Sequence, residues 1–335
     1  MLKQCEITVV IPTYNRAKLI GRAIKSVLDQ TMPPAQVIVV DDGSTDNTSE
    51  VCQVYAQSVQ YIWQRNSGAA AARNAGIRLS KHPWIAFLDS DDYFTPSHLE
   101  RMMTAICETG GEAAFYFSDV QWPGPDGGGS HWEGIGFKPR RPWHLINDAS
   151  SWVLLKCQPT ILPSSVINKR ALEAVGGLDE SRRVGEDSYL FCQLGIGGVA
   201  CAVSGTGCVV TADDTSNVRL TVNNPLGSEK YLSEACERWR DVLSWKGRLP
   251  AHFCRLVAFK LAGAHLSSGK ALWRAGSRLR AISHFVLAAK ADPKLAAWLA
   301  RYRSSKGYEE TLQSPCSETI ERPATKRSLR PLLYL

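Results

Sequence analysis

Three carboxylates crowd into four positions where Trp84-Ile85-Ala86-Phe87-Leu88 runs into Asp89-Ser90-Asp91-Asp92. A short apolar run of this kind is consistent with a fully buried strand. Like charges gathered at its end repel one another unless something positive sits among them. A divalent cation is the economical counter-charge, because hard cations take oxygen ligands and commonly bring phosphates with them. The pattern predicts a metal-bound phosphate substrate at the carboxyl end of a parallel strand, where open α/β sheets bind ligands.

Three more polar clusters follow apolar runs: Thr13–Arg16 after 6–12, Asp41–Asp46 after 36–40, and Asn66–Gly68 after 59–63. Between the first two, Leu19, Ile20, Ala23, Ile24, Val27 and Leu28 recur at helical spacing. Residues 67–79 and 96–109 read as further helices, and 113–120 as a fifth strand. Strands alternating with helices of this length predict a doubly wound, mostly parallel α/β sheet flanked by helices. Right-handed crossovers place the strand carboxyl ends on one edge, so the four clusters should converge on one cleft. Residues 123–141 are rich in Gly and Pro and read as a long mobile loop. Beyond it, short helices are predicted over 148–156, 169–175 (closed by Gly176-Gly177) and 186–195, with a strand over 164–168.

After residue 224 the character changes to amphipathic basic helices, predicted over 231–245, 252–266, 270–290 and 293–302. From Ser304 onward the polar, Pro-containing composition predicts disorder. The expected organisation is thus 1–224 as an α/β domain with halves 1–120 and 121–224, then a helical extension 225–303 and a tail 304–335. Lys and Arg outnumber Asp and Glu by 20 to 9 after residue 224, while the whole chain carries only +7, so the first 224 residues are net acidic. A basic extension on an acidic body suits an anionic membrane surface or a protein partner.

Apolar content of 44% and charge of 21% are those of a soluble globular protein. The ten cysteines contain no C-x-x-C pair. With an N-terminus that does not read as a signal peptide, they predict a reduced, cytoplasmic protein, peripheral at most to the inner face of the membrane. The chain has no G-x-G-x-x-G, no G-x-x-x-x-G-K-[ST] and no H-E-x-x-H, which argues against dinucleotide dehydrogenases, P-loop NTPases and zinc peptidases. No nucleic-acid motif accompanies the basic extension.

Six motifs in order carry a resemblance over roughly residues 5–220. They are Ile11-Pro12-Thr13-Tyr14-Asn15-Arg16, Asp41-Asp42-Gly43-Ser44-Thr45-Asp46, Asn66-Ser67-Gly68 with Ala72-Arg73-Asn74-Ala75-Gly76, Asp89-Ser90-Asp91-Asp92, Val175-Gly176-Gly177-Leu178-Asp179-Glu180, and Gly185-Glu186-Asp187. Together they resemble the inverting glycosyltransferases of family 2, which have the GT-A fold. The resemblance implies a nucleotide diphosphate sugar donor, most simply a UDP-sugar, with Mg²⁺ or Mn²⁺. It implies that Pro12, Tyr14, Asn15 and Arg16 meet the nucleoside, and that Asp41 or Asp42 accepts a hydrogen bond from the base. Asn66, Gly68 and Arg73 would help hold the nucleotide, the free N–H groups at Gly68 suiting an anion. Asp89 and Ser90 would approach the ribose or metal, and Asp91, ahead of Asp89, would ligate the metal. Asp92 would instead cap or support the loop.

On the acceptor side, a hydroxyl attacks well only if a carboxylate takes its proton. The resemblance gives this role to Asp187, with Glu186 as second choice. Gly177 and Asp179 would shape the turn beneath the acceptor, and Trp132 and Trp143 would serve as sugar platforms. The implied acceptor is a glycan or lipid-linked sugar in cell-surface polysaccharide or glycoconjugate assembly. Two departures from the family pattern stand out. Leu190-Phe191-Cys192-Gln193 lacks the usual Arg, and Thr211–Asn217 lacks a His, leaving Asp213 or Asp214 as replacements. The competing readings are a nucleotide-sugar-binding protein without catalysis and a sugar-phosphate nucleotidyltransferase.

Overall fold

In the computed structural model the described residues are 5–123, 128–140, 142–155, 158–211, 228–245 and 249–294. The chain divides into two compact units, Met1–Val218 and Arg219–Leu335.

The first unit runs β1 (Ile7–Thr13), α1 (Ile20–Leu28), β2 (Gln36–Asp41), α2 (Thr48–Gln53), β3 (Gln60–Trp63), α3 (Ala69–Leu79), β4 (Trp84–Phe87) and β5 (Tyr93–Phe94). It continues with α4 (His98–Glu108), β6 (Phe115–Trp122), β7 (Gly129–Ser130), α5 (His131–Ile135), β8 (Trp143–Ile146), α6 (Ser150–Val153), β9 (Ser165–Asn168), α7 (Lys169–Ala174), α8 (Glu186–Gly195) and β10 (Ala200–Val209). The sheet order is β3-β2-β1-β4-β9-β6-β10-β5. The first four strands in that order are mutually parallel, β9 is antiparallel to both β4 and β6, and β6 and β10 are again parallel. The predicted mostly parallel α/β sheet is therefore present, with the antiparallel β9 at its centre.

Local sequence explains the elements. β1 is β-branched and buried at every position, as a central parallel strand covered on both faces must be. Helix α1 buries Ile20, Ala23, Ile24 and Val27, its i, i+3, i+4, i+7 stripe, against one face of the sheet. Helix α3 is buried from Ala70 through Ile77 because it lies directly on β1. A Cβ at Gly76 would overlap the Val10 side chain, so this approach needs glycine.

Two expectations change, and one strand was not foreseen. Residues 123–141 are not a bare loop: the described part holds β7 and α5. Ser130 accepts a hydrogen bond from Glu133 N at 3.0 Å, and Ser130-His131-Trp132-Glu133 has the S-x-x-E spacing of a capping box. Strand β10 lies in a Gly- and Cys-containing stretch that has weak strand propensity. Its Gly207 sits where a side chain would strike Ser118 and His98, the close approach that glycine inside a strand often marks. In the second unit, α9 (Glu229–Ser244), α10 (Ala251–Arg274) and α11 (Arg278–Ala291) replace the predicted break at 267–269 with one at Gly276, which has φ +82°. Gly269 is instead a mid-helix contact point for the Phe285 ring. No helix among the described residues is long and apolar enough to cross a membrane. Most of the predicted helix 293–302 and all of the tail 304–335 lie outside the described residues.

Candidate active site

The polar clusters converge as the parallel topology requires. Asp42 N donates to Thr13 O at 2.8 Å, and Leu88 N to Val10 O at 3.1 Å, so the ends of β2 and β4 flank the end of β1. Asn15 stitches the first two loops. It holds a left-handed backbone at φ 52°, donates from its N–H to Ser44 Oγ at 2.8 Å, and accepts from Thr45 N at Oδ1, also 2.8 Å. Asparagine tolerates that conformation better than most non-glycine residues. Arg16 N is held by Thr48 Oγ1 at 2.9 Å. Tyr14 is left 37% exposed at this edge.

Asp41 and Asp42 are buried and already bonded within the chain. Asp41 accepts from Ser44 N at 2.8 Å and from the Tyr61 hydroxyl at 2.7 Å. Asp42 accepts from Gln64 Nε2 at 2.7 Å, Ser67 N at 2.9 Å and Gly68 N at 2.7 Å. The anion at the mouth of α3 is therefore the chain's own Asp42, a correction to the expectation that the Gly68 N–H is open to a ligand. Asn66 is exposed on the same loop.

Arg73 is the centre of the cleft. It is buried, donating to Asp89 Oδ1 at 2.7 Å and to Glu186 Oε1 at 2.9 Å. One guanidinium thus joins the end of β4 to the start of α8. Three carboxylates bear on it, Asp89, Glu186 and Asp187, and although burial works against the charge, they hold it firmly protonated. Glu186 is pushed up to about 7, first by burial and then by Asp187, and Arg73 offsets them only in part. Asp187 is half-buried in the first turn of α8, with its Oδ1 accepting from Ser188 N at 2.6 Å. Gly185, the residue before that helix, has φ 73°, a left-handed conformation that glycine adopts without strain.

Around the aspartates of β4, Asp89 keeps 35% of its side chain exposed, whereas Asp91 is enclosed with Arg16 Nη2 at 3.9 Å. Ser90 is buried between them. Asp92 accepts from Thr211 N at 3.0 Å and so supports the loop, as expected. Arg22 and Thr211 both reach the Asp91 carbonyl, at 2.7 and 2.6 Å. These two residues escaped the sequence reading because Arg22 lies on the polar side of an amphipathic helix and Thr211 is distant in the chain. Asp213 and Asp214 lie outside the described residues.

Asn74, the neighbour of Arg73, clasps the turn at Gly177-Leu178. Its amide donates to Leu178 O at 2.8 Å and accepts from Leu178 N at 2.9 Å. Gly177, at φ +78°, has no room for a Cβ, which would stand 2.5 Å from Asn74 Oδ1. Asp179 accepts from Ser181 N and Oγ and from Arg182 Nε at 2.9 Å. Burial opposes its charge, but these donors outweigh it and hold the carboxyl below its ordinary range. Gly177 and Asp179 therefore shape a turn.

The tryptophans do not behave as sugar platforms. Trp132 is buried, donates to Pro159 O at 2.9 Å and packs edge-on to Phe117 and Phe137. Trp143 pairs with Val203 in β8 and lines an open depression of about 570 Å³ with Glu108, Thr109 and Gly110. Those residues precede β6, so Trp143 lies toward the amino-terminal edge of the sheet, away from the cleft.

Comparison with known proteins agrees with this geometry. Residues 8–155 match the family described as Glycosyl transferase family 2. An uncharacterized glycosyltransferase of Rickettsia bellii is 32% identical over 210 residues, covering 61% of this chain and 29% of the relative. TuaG of Bacillus subtilis, a glycosyltransferase named for teichuronic acid biosynthesis, is 36% identical over 126 residues, covering 36% of this chain and 49% of the relative. The chain thus spans half or less of the length of these curated relatives. Among solved structures, S. aureus TarS 1–349 in complex with UDP-GlcNAc superposes with TM-score 0.65 at 18% identity, over 84% of this chain and 79% of that one. The mannosyltransferase PcManGT of Pyrobaculum calidifontis, in complex with GDP-Man and Mn²⁺, gives TM-score 0.55 at 20% identity, over 93% and 85%. At these identities the structures speak to the fold. Residues 8–155 thus resemble glycosyl transferase family 2, and the α/β unit has the GT-A fold.

Proposed function

We propose that the α/β unit is an inverting, metal-dependent glycosyltransferase, and that the Arg73 bridge between Asp89 and Glu186 is the observation that carries this reading. It brings the leaving-group carboxylates and the acidic pair of α8 to one cleft. An inverting displacement needs the two groups on opposite sides of the reacting carbon. Asp187 takes the proton of the acceptor hydroxyl as that oxygen bonds to the anomeric carbon, and the nucleoside diphosphate leaves with the electrons of the broken bond. Tyr14 offers an exposed ring to the base, and a remaining lone pair of Asp41 or Asp42 accepts from a base N–H. The cleft residues fit a hard cation, since carboxylate oxygens are the donors that Mg²⁺ and Mn²⁺ prefer. Asp91 and Asp89 would hold it. Such an ion neutralises charge developing on the diphosphate.

The donor proposed is a UDP-sugar, supported by the TarS complex, and the acceptor a glycan or lipid-linked sugar, supported by the name of TuaG. The test is a screen of UDP- and GDP-sugars with Mn²⁺, reading nucleoside diphosphate release with and without candidate acceptors. Asp91→Asn is expected to lower release by about 100-fold or more, as loss of several kcal/mol of charge stabilisation requires. Release from no donor, or full activity in Asp91→Asn, would overturn the assignment. Pyrophosphate made from a nucleoside triphosphate and a sugar phosphate would favour the nucleotidyltransferase instead.

The basic second unit is proposed to meet an anionic membrane surface at the inner face. On α11, Leu279, Ile282 and Val286 are exposed at i, i+3, i+7 beside Arg278 and Arg280. Apolar residues next to cations suit the boundary of an anionic bilayer. The full chain should float with anionic vesicles at low salt, with recovery falling as salt rises. Equal recovery with neutral vesicles would remove the electrostatic argument.

A further inference from the structure

Three helices of the second unit bring one thiol and two imidazoles to a point. Cys236 comes from α9, His265 from α10 and His284 from α11, and one ligand atom from each lies within 4.8 Å of the others. Cys236 and His265 are buried and His284 is half-buried. The Nδ1 atoms of the two histidines are 3.1 Å apart. Nitrogens that close share either a proton or a cation. Two tetrahedral nitrogen ligands at about 2.05 Å from zinc would stand roughly 3.3 Å apart, so little movement is needed.

We propose that Cys236, His265 and His284 bind one zinc-class divalent ion that ties α9, α10 and α11 together, with water in the fourth position. Sulfur and imidazole donors favour zinc over the magnesium and manganese that carboxylates take. The surroundings are consistent with this state. Burial pushes His265 down to about 4 and lowers His284, so both rings are neutral at pH 7, the form a metal ligand needs. Burial pushes the Cys236 thiol up, while the Ser268 hydroxyl, 3.7 Å from its Sγ, and Arg240 work the other way. The ion must therefore displace the thiol proton to solvent. Arg240 bears on both histidines and Arg280 on His284, where Glu229 pairs with Arg280. Those cations oppose a bare divalent charge, and the thiolate formed on binding removes one unit of it.

The reduced full-length chain, stripped with chelator and titrated with Co²⁺ alone, tests the site. The expected result is a thiolate-to-cobalt charge-transfer band that saturates at one equivalent and is competed away by Zn²⁺. Cys236→Ser should abolish the band. His284→Ala, at a half-buried position that the fold tolerates better, should weaken Co²⁺ binding by at least about tenfold with helical circular dichroism unchanged. Asp91→Asn should leave the band intact, because carboxylates cannot produce it. No thiolate band in the folded chain, a band that survives Cys236→Ser, or a band lost in Asp91→Asn would each overturn the proposal.

Discussion

Asp187→Asn should lower the turnover number for sugar transfer by about 10²- to 10⁴-fold while leaving donor affinity unchanged, because the variant removes a positioned proton acceptor and nothing that touches the donor. The substitution is gentle to the fold. Asp187 Oδ1 accepts from Ser188 N at 2.6 Å, and an asparagine oxygen can keep that bond at the start of α8. The measurement is a pair of assays on the same preparation: transfer to the acceptor found in the donor screen, and donor binding by calorimetry. Full transfer in Asp187→Asn would remove Asp187 from the role and pass it to Glu186. Donor binding by the wild type with no transfer to any acceptor would support the non-catalytic, nucleotide-sugar-binding reading.

The second large effect is expected at Arg73. Removing one partner of a buried ion pair leaves an uncompensated charge, at a cost of about 3 to 5 kcal/mol. For Arg73→Met most of that cost falls on Glu186, since Asp89 is a third exposed and can be hydrated. The penalty depends on pH. Glu186 sits at about 7 in the folded chain, above its ordinary 4.5. Its contribution to stability is therefore fully present below pH 4.5 and is lost as pH rises through 7. Below that window Glu186 is already protonated in the folded protein, and loss of Arg73 costs little there. Urea midpoints for Arg73→Met should thus fall far below wild type at pH 8 and approach it at pH 4.5. Adding Glu186→Gln, which cannot ionise, should recover much of the loss at pH 8. A pH-independent deficit, or no recovery in the double variant, would show that Arg73 acts through packing rather than charge.

Several parts of this cleft were legible in the sequence because they depend on local pattern. The apolar run ending at Asp89, the Gly185-Glu186-Asp187 start of α8 and the turn at Gly176-Gly177 all fall where the residues place them. The parallel order of the first four strands follows from alternation of strand and helix. What the sequence did not show is pairing between distant segments. That Arg73 would lie between Asp89 and Glu186 rather than on the surface depends on β9 entering the sheet antiparallel between β4 and β6. That Asp42 would fill the mouth of α3 depends on the register of β2 against β1. Trp132 looked available because its loop is Gly-rich, but Asp119 accepts from its N–H and Pro159 O from its indole, which hold it in the aromatic cluster around Phe117. Cys236, His265 and His284 have spacings that match no local metal motif, and only the three-helix arrangement brings them together.

The contacts of Arg73 and Asn74 also set an order of assembly. The carboxylates proposed for the donor lie within the first 92 residues, on strands that pair with β1 across 28 and 77 positions. Arg73 waits for Glu186 across 113 positions, and Asn74 waits for Leu178 across 104. Closing loops of that length is entropically uphill until the contacts at their ends form, so such pairings come late in folding. During synthesis β1 to β4 can pair before the acidic pair of α8 has been made, while Asp91 and Asp92 wait longer still, for Thr211. Until α8 is made, Arg73 has Asp89 as its partner, and the proposed base is missing.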